Sequence, residues 1–300
     1  MTKGRRRANR HGYVVIDKPA GWTSHDVVAR VRRILGERRV GHAGTLDPAA
    51  VGVLPIAVGL ATRTVEYLAE ADKSYRAGVT FGITTDSSDA DGIVTGIADA
   101  SCLTASRLEA VLRSALGRQL QTPPMHSAVK IGGKRLYQLA REGRSVNVPP
   151  REIVVHALEP VDWRPPTLTL DITCSKGTYV RSLARDLGTH AGTGAYLSHL
   201  VRTHSGPFTI DDAVSLNDFA LLHETLGWAG MAFHPDWVLQ NLHAVVLDDP
   251  ALRLWTTGQP VAHGAIPTGT VRVYDSGGVW LGVGEAEAGI IRSTKVILPE

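Results

Sequence analysis

The chain has 300 residues, enough for one large domain and a small one. Its composition, 43% hydrophobic and 20% charged, is that of a soluble globular protein, and no apolar run reaches the roughly 18 residues of a membrane span. The net charge of +3 is unevenly spread: residues 1–210 carry 28 Lys and Arg against 18 Asp and Glu, residues 211–300 carry 4 against 11, so the body of the chain suits a polyanionic partner such as nucleic acid and the tail region does not.

The N-terminal MTKGRRRANRHG is basic but has no apolar stretch. It reads as a flexible arm over residues 1–12, not a secretory signal. YVVIDKP (13–19) is a short buried strand ended by Pro19. Ser24 is the expected N-cap of a helix whose Val27, Val28, Val31, Ile34 and Leu35 share one face and which Gly36 stops. Gly41–Gly52 is too rich in glycine for regular structure and is expected as a loop. LPIAVG follows as a strand, ATRTVEYLAEAD as one helix, KSYRAGVTFG as an alternating strand and TTDSSDADG as a polar loop. TASRLEAVLRSAL is a helix capped by Thr104.

Residues 123–151 are bracketed by proline pairs and carry Lys130, Lys134, Arg135, Arg141, Arg144 and Arg151 against one acid, Glu142. They read as a protruding, RNA-gripping insertion, with Met125, His126 and Tyr137 offering apolar contacts. Strands near 152–163, 167–174 and 195–204 and a helix near 178–191 complete an α+β unit, 13–230, with a mixed sheet and flanking helices. Beyond about residue 230, short strands punctuated by glycine turns predict a small β-rich unit, 231–300. Cys102 and Cys174 form no CxxC pair, which argues against a structural zinc site and for a reduced, cytoplasmic setting.

The loop GHAGTLDPAAVGVLP holds one carboxylate, Asp47, among small apolar residues. An aspartate before proline ordinarily starts a turn. In a glycine loop that lets a ligand approach closely, it can also serve as a nucleophile if a cation keeps it ionised. Arg181, at the head of the helix after the glycine turn in CSKGTYVRSLARDLG, is the candidate cation, with Lys176 and Arg185 as alternatives. His42 and Asp47 lack the further ligands that a metal hydrolase needs, so no metal is expected. TTDSSDADG partly matches a calcium loop but lacks its later glutamate, and reads as a hydrogen-bonded loop beside the site.

KPAGWTS (18–24), GHAGTLDPAAVGVLP (41–55), KSYRAGVTFG with TTDSSDADG (73–92) and CSKGTYVRSLARDLG (174–188), in this order, resemble the bacterial tRNA pseudouridine-55 synthases of the TruB type over roughly residues 13–208. The resemblance implies a pseudouridine synthase catalytic domain with a largely antiparallel central sheet. It implies Asp47 as nucleophile, Arg181 as its partner, and Tyr75 against the target base as a candidate proton acceptor. Tyr179 and the backbone at Leu200 would contact the uridine, and His42 would enter the RNA loop vacated by the base. Lys18 and Pro19 would support the floor, with Lys130 among the RNA contacts of the insertion. The implied substrate element is the T stem-loop of tRNA, with tRNA folding as a possible accompanying role. VRVYDSGGVWLGVGEAEAGIIRSTKVIL resembles a PUA domain, whose acidity here disfavours strong tRNA binding. Isomerising uridine to pseudouridine changes no oxidation state, so no cofactor is expected, nor an obligatory protein or guide-RNA partner; a monomer is expected. Two readings compete: a non-catalytic RNA-binding module, and a guide-RNA-dependent relative.

Overall fold

The computed structural model describes residues 10–127, 129–144 and 146–297, without the side chain of Arg141. Up to residue 9, the basic arm expected over residues 1–12 lies outside the described residues. In chain order the elements are β1 (Gly12–Lys18), α1 (Ser24–Leu35), β2 (Val40–His42), β3 (Val51–Val58), α2 (Val65–Glu70), β4 (Lys73–Phe81), β5 (Ile83–Thr85), β6 (Val94–Ile97), α3 (Ala105–Ser114) and β7 (Gly117–Gln121). They continue with β8 (Lys130–Ile131), β9 (Lys134–Arg135), α4 (Leu136–Arg141), β10 (Arg151–Arg164), β11 (Thr167–Cys174), α5 (Val180–Ala191), β12 (Ala195–Ser205), β13 (Phe208–Thr209), β14 (Ala213–Val214) and α6 (Leu216–Thr225). The last are β15 (His243–Leu247), α7 (Asp249–Thr256), β16 (Val261–Ala262), β17 (Gly269–Asp275), β18 (Trp280–Glu287) and β19 (Ile290–Val296).

Among the described residues, ten strands form one sheet in the order β14-β1-β3-β12-β4-β11-β10-β7, with β2 on β3 and β13 on β12. The pairing is antiparallel except at β1–β14 and β3–β12. This is the mixed, largely antiparallel α+β architecture expected. A second sheet, β15-β17-β18-β19-β16, forms the C-terminal unit around Trp255, Val273 and Ile291.

Alternation along the strands assigns each face of the large sheet. Val14, Ile16, Leu54, Ile56 and Val58 point to α1 and α6. Farther along the same face, Ala77, Val79, Leu168, Leu170 and Ile172 point to α3 and α5. On the reverse face Tyr13, Val15, Val53 and Ala57 pack with Phe208 and with Trp280, Val283 and Ile297 of the C-terminal unit. Two helical layers thus share one side of the sheet with a gap between them, and the acidic C-terminal unit is docked behind.

Helix α5 carries the expected Arg181. Val180, Leu183, Ala184, Leu187 and Ala191 recur at helical spacing and are buried on the sheet. Burying Leu183 and Leu187 fully stabilises the helix by about 1.5–3 kcal/mol each. Gly192, left-handed at φ 77°, ends it.

Four local expectations are corrected. The N-cap of α1 is Thr23, not Ser24: its hydroxyl accepts from Asp26 N–H while the Asp26 carboxylate accepts from Thr23 N–H. Gly41–Gly52 is not all loop, because Val40–His42 pairs with β3 and β3 begins at Val51. ATRTVEYLAEAD is not one helix: a tight turn over Gly59–Arg63 precedes α2, and the Thr64 side chain is drawn off to the Tyr13 hydroxyl. The 123–151 insertion is not merely a protrusion: it has a small core of its own, Leu136, Leu139 and Val148, against which the half-buried Met125 packs.

Replacing an interior helix glycine by alanine ordinarily stabilises by about 1 kcal/mol. At Gly188 the sign reverses, because an added Cβ would lie 2.1 Å from Ala195 N and 2.3 Å from the Gly194 carbonyl carbon. Gly188→Ala should therefore destabilise by about 1–3 kcal/mol. Denaturant unfolding checks this, and an increase in stability contradicts the close approach of α5 to β12.

Candidate active site

One cross-strand row crosses the gap between the two helical layers. Lys18 pairs with Gly52, Gly52 with Arg202, Arg202 with Tyr75 and Tyr75 with Ile172. Directly paired residues project from the same face, so these side chains, with Lys18, Arg202 and Ile172 buried, share the face of the sheet that carries α1 and α5. Gly52 has φ +97°, and a Cβ there would lie 2.3 Å from the Arg202 carbonyl oxygen, which leaves glycine as the residue that fits.

The Asp47 loop lies over this row and is bonded through its backbone on both sides of the aspartate. Leu46 N–H donates to the Ser24 hydroxyl at 3.0 Å, which donates back to Leu46 O at 3.2 Å. Lys18 Nζ donates to Pro48 O at 3.1 Å, and also to Pro19 O and Trp22 O at 2.9 and 2.7 Å. Arg202 donates through Nη2 to Gly44 O at 3.1 Å and through Nε to Val53 O at 2.7 Å. The loop needs no further backbone support, and the Asp47 carboxylate is left for other contacts.

The carboxylate meets Arg181. The Arg181 Nε lies 2.9 Å from Asp47 Oδ2 and Nη1 lies 3.3 Å from Asp89 Oδ2; the arginine side chain is only 5% exposed. The Nε–H is not aimed along the Asp47 contact, so this is an ion pair rather than a well-formed hydrogen bond. Arg181 also donates to His126 O at 2.7 Å and reaches Ser87 O at 3.5 Å. The expectation of a single carboxylate is therefore corrected: Asp89, from the polar loop after β5, shares the guanidinium. That loop is held by Ser87 Oγ on Asp89, by Thr85 Oγ1 on Asp89 O at 2.8 Å and by Leu197 N–H on Ser88 O at 3.0 Å.

The electrostatics follow from these contacts. Burial raises the Asp47 pKa; the Arg181 charge opposes this and the Asp89 charge adds to it, so the carboxyl ends above the usual aspartate value. The lowering expected from an arginine partner is present but outweighed. Burial lowers Lys18 to about 8, with Asp47 favouring its charge and Arg202 opposing it. Burial also raises the Tyr75 phenol, against the lowering influence of the Arg202 guanidinium within hydrogen-bonding reach. Tyr75 is thus a neutral phenol near pH 7. Burial, the His25 ring 5.2 Å away edge-on and Arg202 together lower His42 to about 4, so this ring is neutral as well.

The remaining expected residues distribute as follows. Tyr179 caps α5, and its backbone is clamped by the Gln121 amide, which accepts from Tyr179 N at 2.8 Å and donates to Tyr179 O at 3.2 Å. Leu200, paired with Ala77, shares the face of Arg202 one step along β12 and packs on the α5 core. Lys130 is exposed on the β8–β9 hairpin of the insertion. Lys176 and Arg185, the alternative cations, are engaged elsewhere, with Glu70 and with Asp186. Among the described residues no group of three His, Cys, Asp or Glu side chains could hold a metal ion, and no helix is long and apolar enough to cross a membrane. Sequence reasoning missed Asp89, Arg202 and Gln121. Asp89 was visible in the acid-rich TTDSSDADG, but Arg202 and Gln121 sit in strands without a local signal of burial.

An arginine sandwiched between two aspartates over a floor of buried cations and a neutral phenol has the means to stabilise charge on a sugar carbon without redox chemistry. The backbone of this arrangement is shared with a solved complex of Cbf5, Nop10 and Gar1, at a TM-score of 0.75 and 26% identity over 96% of this chain and 85% of that one. It is shared also with an H/ACA ribonucleoprotein bound to a substrate RNA containing 2′-deoxyuridine, at 0.74 and 25% over 96% and 85%. Fold and site together define a pseudouridine synthase, an isomerase. Family models sharpen this: TruB family pseudouridylate synthase (N-terminal domain) matches residues 32–180, tRNA pseudouridylate synthase B C-terminal domain 181–228, and pseudouridine synthase II TruB, C-terminal, 244–297. Curated relatives called tRNA pseudouridine synthase B include those of Trichormus variabilis, 43% identical over 96% of this chain and 99% of the relative, and Symbiobacterium thermophilum, 53% over 70% and 71%. The chain belongs to the TruB family of pseudouridine synthases.

The electrostatic account makes one direct prediction. In protein labelled with carbon-13 at aspartate carboxyls, Asp47 should titrate above the ordinary 3.8. Asp89→Asn removes the repelling charge and should move that midpoint down. A midpoint unchanged in the variant contradicts the coupling of the two carboxylates.

Proposed function

We propose that the chain isomerises a uridine of the T stem-loop of tRNA, position 55, to pseudouridine, with Asp47 as the nucleophile. The observation that carries this reading is the Arg181–Asp47 ion pair, 2.9 Å across, with the aspartate half-exposed and Arg181 also bonded to His126 of the basic insertion. The reaction breaks the bond from C1′ to N1, turns the uracil, joins C1′ to C5, gives up the C5 hydrogen as a proton and takes one proton back at N1 from solvent. Atoms and electrons balance without a cofactor. Asp47 supplies the negative charge that meets the electron-poor carbon as the N1 bond breaks. Arg181 holds that carboxylate against the repulsion of Asp89 and the loss of solvent. Tyr75 lies under the base and Leu200 and Tyr179 border it.

A base inside a folded RNA loop must leave its stack first, at a cost of a few kcal/mol. His42, neutral and at the rim, is suited to fill the vacated place, since an uncharged ring stacks without being stripped of a tightly held shell of water. Lys130 and its basic neighbours in 123–151 supply backbone contacts, and the tether from His126 O to Arg181 joins the insertion directly to the catalytic pair. A self-contained insertion supports stand-alone action as a monomer in the cytoplasm, without a guide RNA.

The purified chain should release hydrogen from C5 of labelled uridine in a bare T-arm hairpin. Asp47→Asn should reduce release to background while hairpin affinity is kept. Release by Asp47→Asn at the wild-type rate sinks the nucleophile assignment. A strict need for an added protein or guide RNA sinks the stand-alone reading.

A further inference from the structure

We propose that Arg202 is a positioning residue of the isomerisation, holding the Asp47 loop and the Tyr75 phenol in register from beneath the floor. The inference rests on Asp47 and Tyr75 acting as proposed above.

Arg202 is 1% exposed. A buried guanidinium is costly unless its donors are met and its charge is matched. Among the described residues no carboxylate lies within ion-pair distance of it; its hydrogen-bond partners are the carbonyls of Val53 at 2.7 Å and Gly44 at 3.1 Å, and Tyr75 stands directly beside it as its cross-strand neighbour. Fold stability alone gives no reason to place an unmatched cation here, since an apolar side chain in a sheet row of this kind would avoid the desolvation. The partners supply a reason. Gly44 and Val53 bracket Asp47 in sequence, and Tyr75 is the direct cross-strand neighbour of Arg202. One planar, rigid group therefore ties both ends of the nucleophile's loop to the aromatic that lies under the base. A 1 Å error in such an arrangement can cost about 100-fold in rate. Lysine cannot replace it: an ammonium is a compact point, whereas the fork reaches carbonyls on both sides of the Asp47 loop while its plane stands beside Tyr75.

Arg202→Lys should lower the single-turnover rate of C5 hydrogen release by about 100-fold with hairpin affinity unchanged. Adding Tyr75→Phe should slow that variant much less than it slows the wild type, because part of the two effects is shared. A purely structural role predicts a lowered affinity and effects that multiply. Wild-type turnover in Arg202→Lys, or fully multiplying effects, overturns the proposal. Tyr75→Phe alone supplies a test independent of folding at position 202: the Arg202 Nε–H signal of nitrogen-15-labelled protein should shift while its exchange with solvent stays slow, and an unshifted signal overturns the contact. Asp47→Asn separates the two claims. If it is inactive and Arg202→Lys is not, positioning alone fails; if it is active, the underlying reading fails.

Discussion

The guanidinium of Arg181 is the group on which the rest of the structure converges. It contacts Asp47 in the loop before β3, Asp89 in the loop after β5, and His126 in the insertion, and it is itself set by the first turn of α5. Four segments far apart in sequence meet on one side chain. Two carboxylates against one arginine leave the cluster short of positive charge, so Asp47 is held near its partner yet pushed above the ordinary aspartate pKa. A carboxylate in this condition is half-exposed and incompletely neutralised, which suits it to meet positive charge on a substrate carbon. Lysozyme-type logic, with two carboxylates divided into acid and base, does not apply, because the arginine sits between them.

Beneath that cluster the sheet supplies rigidity and charge together. Lys18 and Arg202 stand two residues apart in one cross-strand row with Gly52 between them, and each spends its donors on backbone carbonyls. Burial, and to a lesser degree repulsion from Arg202, lower Lys18 to about 8 against the favourable charge of Asp47, and Arg202 helps keep His42 neutral. Such buried charges are weak stabilisers of a fold, but they make the few backbone conformations that satisfy them specific. The helical layers on either side each pack on the sheet through an apolar core of their own. The C-terminal unit joins through the reverse face, where Trp280 and Ile297 meet Tyr13 and Val15, away from the chemistry.

Much of this was legible in the residues. Apolar periodicity found α1, whose buried Val27, Val28, Val31 and Leu35 lie on one face, and the alternation of KSYRAGVTFG found β4, although Ala77–Phe81 is buried on both faces. Asp47 stood out because a glycine-rich loop makes a lone charge conspicuous, whereas Arg181 was one of three candidate cations, with Lys176 and Arg185, until the family resemblance singled it out. The failures have a common cause in long-range partners. Thr64 broke a helix for the sake of Tyr13, Val40–His42 became a strand because β3 was available to pair with it, and the 123–151 segment gathered a core of Leu136, Leu139 and Val148 that only the folded insertion possesses. Arg202 and Asp89 belong to the same class: an arginine in a strand and an aspartate in a polar loop look solvated until the chain brings Gly44, Val53 and Arg181 to them.

The measurement that bears most directly on the central claim is single-turnover isomerisation of a T-arm hairpin by Arg181→Met, with hairpin affinity determined on the same preparation. Removing the shared cation leaves two carboxylates facing each other, which should protonate or displace Asp47 and abolish turnover while RNA binding through the insertion persists. Isomerisation by Arg181→Met at the wild-type rate would contradict the account.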